Sequence, residues 1–373
     1  MTEKEEASTS ATAEAPSTER SRAATLDLIR KVWPWAFLVF LVIFFTITSK
    51  RLNDVNFLNV RSVQGILIFT TQILLLALGE TFVIITAGID LSVGFILGLA
   101  AVVAALIMQA LFAMGAPPAV TILAGALGGV IAATIPGLLN GLLVSKIKVP
   151  PFISTLGMGG IVFGVALLLS GGYPVVQQPP YLGQLGNGYL FHYWREHGIS
   201  LFNRPETAQA ADRADIIPLL PSVVVVTLIV LFVCWFILAK TQFGQHLYAI
   251  GGNLEASARA GIPVQRSITW VYTIAGLLAG IAGVLWAARF TSGAANAGES
   301  SLLMAIAAVV IGGASLFGGE GTIIGTVVGS LIIATIQFGL VILGVQPFWQ
   351  FITVGLVVIL AVIVDQFGRT MGR

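Results

Sequence analysis

The chain has 373 residues, 57% of them hydrophobic and only 10% charged, and its 19 Lys and Arg against 17 Asp and Glu leave a formal net charge of +2. Soluble domains carry about 25% charged residues, so most of this chain does not face water, and so small a charge, with no basic patch, gives no reason to expect nucleic acid as a partner. A mean hydropathy of +0.95 and 42 glycines point instead to packed membrane helices, in which glycine lets backbones approach closely.

Residues 1–28 are mostly Ala, Ser, Thr, Glu and Arg and read as a disordered cytoplasmic tail, ahead of one transmembrane unit over 29–373. The first apolar run, about Val32–Thr48, has no small-residue cleavage site after it and is expected to remain a spanning helix. Further apolar runs cover 62–86, 94–113, 119–144, 152–170, 216–239, 268–289, 302–317, 322–344 and 348–365, each ended by Gly, Pro or charge. The expected fold is an all-α polytopic membrane protein of about ten transmembrane helices, because barrel strands alternate in polarity and do not give uninterrupted runs this long.

An even number of crossings puts both termini on one side. Eleven Lys and Arg, among them Arg30, Lys31, Lys146, Lys148, Lys240, Arg259 and Arg266, fall on that side, against seven on the other, among them Lys50, Arg51, Arg61 and Arg289. Both termini are therefore expected in the cytoplasm. Two connections stand out: 171–215, an extracytoplasmic loop rich in aromatics and mixed charge, and 240–267, polar and cytoplasmic. Cys234 lies in an apolar run, where a packed thiol is the expectation, and a single cysteine excludes an internal disulfide.

The chain also echoes itself. Gly141-Leu-Leu-Val followed by Val149-Pro-Pro-Phe-Ile-Ser-Thr-Leu-Gly157 resembles Gly339-Leu-Val-Ile followed by Pro347-Phe-Trp-Gln-Phe-Ile-Thr-Val-Gly355, five crossings later. An odd number of crossings makes the copies inverted, a transporter construction; chance likeness between two Gly-rich apolar helices is the competing account.

Three segments carry chemistry. In Gly88-Ile-Asp-Leu-Ser-Val-Gly94 two glycines bracket an acid and a hydroxyl where one helix gives way to the next. Asp90 is expected to accept from the free amides of a helix starting near Leu91, with Ser92 beside it; the junction then either only caps that helix or lines a polar path for a hydroxylated solute. In the cytoplasmic loop, Asn253 is an N-cap, Glu255 lies in the first turn, Arg259 in the last, Gly261 at C′, and Pro263 stops the helix. A helix of about two turns over 254–260 is not stable alone and needs a docking partner. In the third segment, Gly312, Gly313, Gly318, Gly319 and Gly321 do not form a phosphate loop, because no Lys-Ser or Lys-Thr follows; Gly321, Gly325 and Gly329, four apart, serve close packing instead.

Gln72, Glu80, Asn140, Thr155 and Gln337 are polar residues inside apolar runs and are expected to face a protein interior or wet cavity, either as interhelical hydrogen bonds or, with Asp90 and Ser92, as a solute path. His192, His197 and His246 have no ligand spacing, so no metal site, catalytic triad or enzymatic role is expected.

At Gly88-Ile-Asp-Leu-Ser-Val-Gly94, Ala249-Ile-Gly-Gly-Asn253 with Gly261-Ile262, and Ile306-Ala-Ala-Val-Val-Ile-Gly-Gly313 the chain resembles the ribose/xylose-type permeases of ATP-binding-cassette sugar importers, over about 60–365. The resemblance implies a homodimeric, multi-pass protein of the bacterial inner membrane, in contact with lipid. It also implies a cytoplasmic ATP-binding subunit that uses the ATP, so that this chain needs no cofactor, and an extracytoplasmic solute-binding protein. Helix 254–260 becomes the element that couples to the ATPase, through Asn253, Glu255, Arg259 and Gly261. Where the family commonly has an acidic Glu-Leu-Asp triplet, this chain has Leu302-Leu-Met304, so the identity of the sugar or polyol does not transfer. An ion-gradient-driven secondary transporter of a small polar solute is the alternative that ten helices and inverted repeats also allow.

Overall fold

The structure, a computed structural model, describes residues 17–194, 198–201, 216–346, 348–356 and 359. Among them eight helices are long and apolar enough to cross a membrane: α1 (its apolar part Val32–Asn53), α2 (Val60–Ile85), α3 (Val93–Ala113), α4 (Pro118–Leu142, extended by a π-helical turn to Ile147), α5 (Pro151–Ser170), α7 (Ser222–Lys240), α10 (Val264–Phe290) and α12 (Ile323–Ile342). Helix α1 as a whole starts at Ser17, so residues 17–28, expected in a disordered tail, are helical; residues 1–16 lie outside the described residues.

The core is built by α2, α3, α4 and α10. Helix α4 lies antiparallel on α10, with Gly137 against Gly276 and Gly141 against Thr269, so close that a Cβ on Gly137 would stand 2.9 Å from the Cα of Gly276. Such contacts replace the hydrophobic effect as the driving force in lipid, since tails are as apolar as leucine. Helix α10 runs antiparallel to α2, pairing Ala275 with Gly79 near one end and Arg289 with Ile68 near the other. Helix α12 is also antiparallel to α2: Thr326 bonds Thr81 at 2.6 Å, and Asn53, just before α2, reaches the carbonyl of Ile342. It follows that α4 and α12 point in opposite directions, and these are the helices that carry the two copies of the sequence echo. Their chain continues alike, through a tight turn into α5 after one and into a helical stretch from Phe348 after the other.

Three expectations change. The run 302–317 is not one crossing helix. Helix α11 (Glu299–Ile311) has 13 residues, about 20 Å at 1.5 Å per residue against a hydrocarbon core of about 30 Å. The run ends its helix at the C-cap Gly312, and Gly313, Gly318 and Gly319 take positive φ in the turn that follows. The run 216–239 starts its helix only at Ser222; Ile216–Pro218 is a strand, and Pro218 and Pro221 keep the intervening backbone extended. Residues 171–215, read as a loop, contain α6 (Pro180–Asn187) and strands β1 (Phe191–Trp194) and β2 (Gly198–Leu201), which with β3 (Ile216–Pro218) form an antiparallel sheet in the order β2-β1-β3. The last run, 348–365, is helical over 348–356 and then falls largely outside the described residues.

Candidate functional site

Two interruptions of the helical backbone meet inside the protein. The first is the α2–α3 junction, 86–92. After Ile85 the chain turns back along α2, so that the Asp90 amide lies 3.4 Å from Glu80 Oε2, and α3 starts beside the last turns of α2. The second is the turn-rich stretch 291–298, which leaves the end of α10 and runs antiparallel to α3. Gly293 lies against Ala101, Ala295 against Gly98, and Gly298 against Gly94, before α11 begins. Backbone outside regular helices needs partners or enclosure where water does not reach it. Here protein encloses it: Gly88, Asp90, Ser92, Gly94, Ala295 and Gly298 are all buried.

Five of the seven residues expected on a solute path converge on the first junction: Glu80, Asp90, Ser92, Asn140 and Thr155, each 0% exposed. Asp90 Oδ1 accepts from the Ser92 amide (2.8 Å) and hydroxyl (2.5 Å). Asn140 donates to Ser92 Oγ at 2.9 Å, and Ser154 donates to Asn140 Oδ1 at 3.2 Å. Thr155 reaches the Ile89 carbonyl at 3.4 Å while bonding Pro151 one turn back at 2.9 Å. The network thus ties the α2–α3 junction to α4 and α5. As expected, Asp90 accepts from a free amide ahead of the helix and from a hydroxyl beside it, both of Ser92; the helix itself begins two residues later than expected, at Val93 with Ser92 as N-cap. Among the described residues neither Glu80 nor Asp90 has a basic partner, and Glu80 Oε1, Asp90 Oδ2 and the Tyr272 hydroxyl are buried without a hydrogen bond.

The other two, Gln72 and Gln337, flank α11. Gln72 donates to Ala297 O (3.1 Å) and Ser301 Oγ (2.9 Å), and Gln337 reaches Met304 Sδ at 2.9 Å, one turn further along α11. Leu302 and Met304, which stand where the resemblance expects acids, point inward, Leu302 against Gly94. Ser154, Tyr272 and Arg289 were not singled out from the sequence. Ser154 could have been, as the neighbour of Thr155; Tyr272 and Arg289 carry no local signal. Arg289 lies over the rings of Phe69 and Phe290 at 5.6 and 5.3 Å and borders a cleft with Thr71, Gln72 and Trp286. This outer cleft has about 20 Å³ of free volume, room for one water and not for a sugar.

The polar connection after α7 is built from α8 (Gln242–Gly252) and α9 (Leu254–Arg259). Asn253 caps α9 by accepting from the Ala256 amide at 2.9 Å, Gly261 takes φ +82°, and Glu255 and Arg259 pair at 3.6 Å. The expected two-turn helix is therefore present, one residue shorter at its end. It barely packs on the rest of the chain, and Leu254 is 51% exposed. Helix α8, by contrast, is pinned: Gly251 abuts the carbonyl of Ile85, and the Tyr248 hydroxyl donates to Gly321 O at 2.7 Å. Burial raises the Tyr248 phenol above its ordinary pKa, so it stays protonated and keeps donating.

The model of the family described as branched-chain amino acid transport system / permease component matches residues 62–362. The ribose import permease protein of Bacillus subtilis (strain 168) is 37% identical over 355 residues, 94% of this chain and 97% of that protein. The fructose import permease protein of Rhizobium meliloti is 35% identical over 78% of this chain and 73% of its own length. The galactose/methyl galactoside import permease protein of Escherichia coli (strain K12) is 34% identical, covering 88% and 93%. No solved structure matches the chain.

Proposed function

The chain belongs to the family of transport-system permease components, and on that premise we propose that it is the membrane-spanning subunit of an ATP-binding-cassette importer for a monosaccharide or related polyol. It is a transporter subunit of the bacterial inner membrane and not an enzyme; its relatives are import permeases for ribose, fructose and galactose, which sets aside the ion-gradient alternative. Its partners are a cytoplasmic ATPase and an extracytoplasmic solute-binding protein. Beyond these we propose a second copy of the chain, since one coupling helix engages only one of two cassettes, with lipid around the dimer. Residues 29–373 then form one permease domain, with 171–215 outside and 240–267 as the coupling loop inside.

The observation that carries the mechanism is the packing of the 291–298 stretch on the first turn of α3, directly after the 86–92 junction: Gly94 and Gly298 would each have a Cβ within 2.5 Å of the other's backbone. Interrupted helices that meet inside a bundle offer backbone groups and short helices that can shift without dismantling the rest. We assign Asp90, Ser92, Glu80, Asn140 and Thr155 to the inner part of the solute path, closed in this conformation, and Gln72 and Gln337 to the support of α11. Asp90→Asn keeps an acceptor oxygen for Ser92 and removes the charge, so it is expected to cut solute uptake about ten-fold or more while lowering expression far less, a transport loss of about 1.4 kcal/mol. Wild-type uptake by that variant would leave the network a purely structural role.

The function itself is tested in proteoliposomes. The purified chain alone is expected to show neither ATP turnover nor concentrative uptake; with the ATPase and binding protein added, uptake of a pentose or hexose should follow ATP, and mass measurement of the assembly should count two copies. Turnover or uptake without an ATPase overturns the proposal, and a single copy per assembly overturns the dimer.

A further inference from the structure

Helices α7 and α12 both pack on α2 but hardly touch each other. Between them, in the cytoplasmic half of the membrane, lies a groove of about 330 Å³ lined by Leu228, Leu231, Phe232, Trp235, Ile323 and Val327, with Ile324 at its edge. The lining is almost wholly apolar, and it opens outward: Phe232 is 63% and Ile324 58% exposed. The cytoplasmic end of the groove is different. Lys240, the last residue of α7, holds its ammonium 5.8 Å from the Trp235 ring centre. No acid pairs with Lys240 among the described residues. A tryptophan that lines the apolar wall and a lysine one turn beyond it are the pair that marks the water–lipid boundary.

We infer that this groove is a binding site for an anionic phospholipid of the cytoplasmic leaflet, one acyl chain filling the wedge between α7 and α12 and the phosphate meeting Lys240. The apolar walls account for a chain and the single unpaired cation for an anionic headgroup. Position gives the site a consequence. Lys240 is followed directly by Thr241, whose hydroxyl accepts from the Gly244 amide to start α8, and α8 is tied to the foot of α12 by Tyr248 and Gly321. A chain lodged above that tie holds α7 and α12 apart at the height where the membrane domain hands over to α8 and α9.

The test is native mass spectrometry of the purified full chain, exchanged into detergent with equal amounts of a phosphatidylglycerol and a chain-matched phosphatidylethanolamine. One lysine near the surface favours the anionic lipid by about five-fold, and Lys240→Gln should bring that ratio to one without removing either adduct. Ile324→Trp, which puts bulk into the groove from an exposed position, should lower retention of both lipids several-fold while the thermal midpoint holds; Val327→Phe serves if that variant does not fold. Equal retention of the two lipids by the unmodified chain, or unchanged retention in the filled-groove variant, overturns the inference. Loss of self-association in Ile324→Trp with lipid retention intact would assign the groove to a second copy and overturn it equally.

Discussion

Gly98→Val is expected to leave almost no folded protein. A Cβ at Gly98 would stand 1.9 Å from the carbonyl oxygen of Ala295 and 2.7 Å from its carbon, and both belong to backbone that cannot rotate away. The stretch 291–298 has no helix of its own to retreat into, because Ala295 and Gly298 are held against α3 and Ala297 accepts from Gln72. Overpacking of this kind costs about 1–3 kcal/mol or more, against a total stability of about 5–15 kcal/mol, and valine adds two methyls to the clash. The measure is the monodisperse yield in mild detergent and its thermal midpoint. Gly98→Ala should fall between the unmodified chain and valine, and Gly157→Ala, where a Cβ meets nothing within 4 Å, should change neither. Unmodified yield and midpoint for Gly98→Val would show that the 291–298 stretch does not press on α3 as described.

The second large effect is expected in coupling, with folding preserved. Helix α9 has six residues, too few to persist without capping and a partner. Its Glu255–Arg259 pair is more than 80% exposed on both sides, and a pair so placed contributes little to stability; its charges are free to meet a partner surface. Exchanging them, Glu255→Lys with Arg259→Glu, keeps an i,i+4 pair but reverses what the helix presents. Co-purification of the ATPase and solute-stimulated hydrolysis should drop at least ten-fold, while the permease itself stays inserted and monodisperse. Gly261 tests the same element through its backbone. Its φ of +82° and the empty space around it mean that valine there meets no neighbour and is opposed by conformation alone, at a cost of about 1 kcal/mol or more. Gly261→Asn, which tolerates the left-handed region, should recover much of what Gly261→Val loses. ATPase recovered at unmodified yield with the charge-exchanged helix would move the coupling contact elsewhere, with α8 as the next candidate.

How far the sequence reached differs between elements for a physical reason. Hydropathy over about twenty residues reports the environment of a helix, so the runs behind α2, α3, α4, α5, α10 and α12 were legible to within a few residues. Capping is equally local. Asn253 and Gly261 sit next to the amides and the turn they serve, and the two-turn helix between them could be read before any fold was known. The failures are places where a local pattern is overruled by a distant contact. The apolar run 302–317 reads as one helix, yet it ends at Gly312, and the turn that follows is held from a distance by the Gly319 amide donating to the Ile85 carbonyl. Asp90 reads as the acceptor for the Ser92 amide and hydroxyl, and is, but nothing local shows that Asn140 from α4 joins them.

The polar residues show the division most clearly. Composition alone determined that Gln72, Glu80, Asn140, Thr155 and Gln337 face the protein interior, because lipid offers them no hydrogen bonds. It did not determine which of them meet. That depends on the register between helices far apart in the chain, set where glycines such as Gly137 and Gly276 let α4 settle on α10 at one height and no other. Side chains separated by 48 and 14 residues, Ser92 to Asn140 and Asn140 to Ser154, become neighbours only through that register, as does Tyr272 beside Gly88. Short-range chemistry was therefore written in the sequence, while the assembly of the network, and its separation from Gln72 and Gln337 at α11, was decided by how closely the backbones pack.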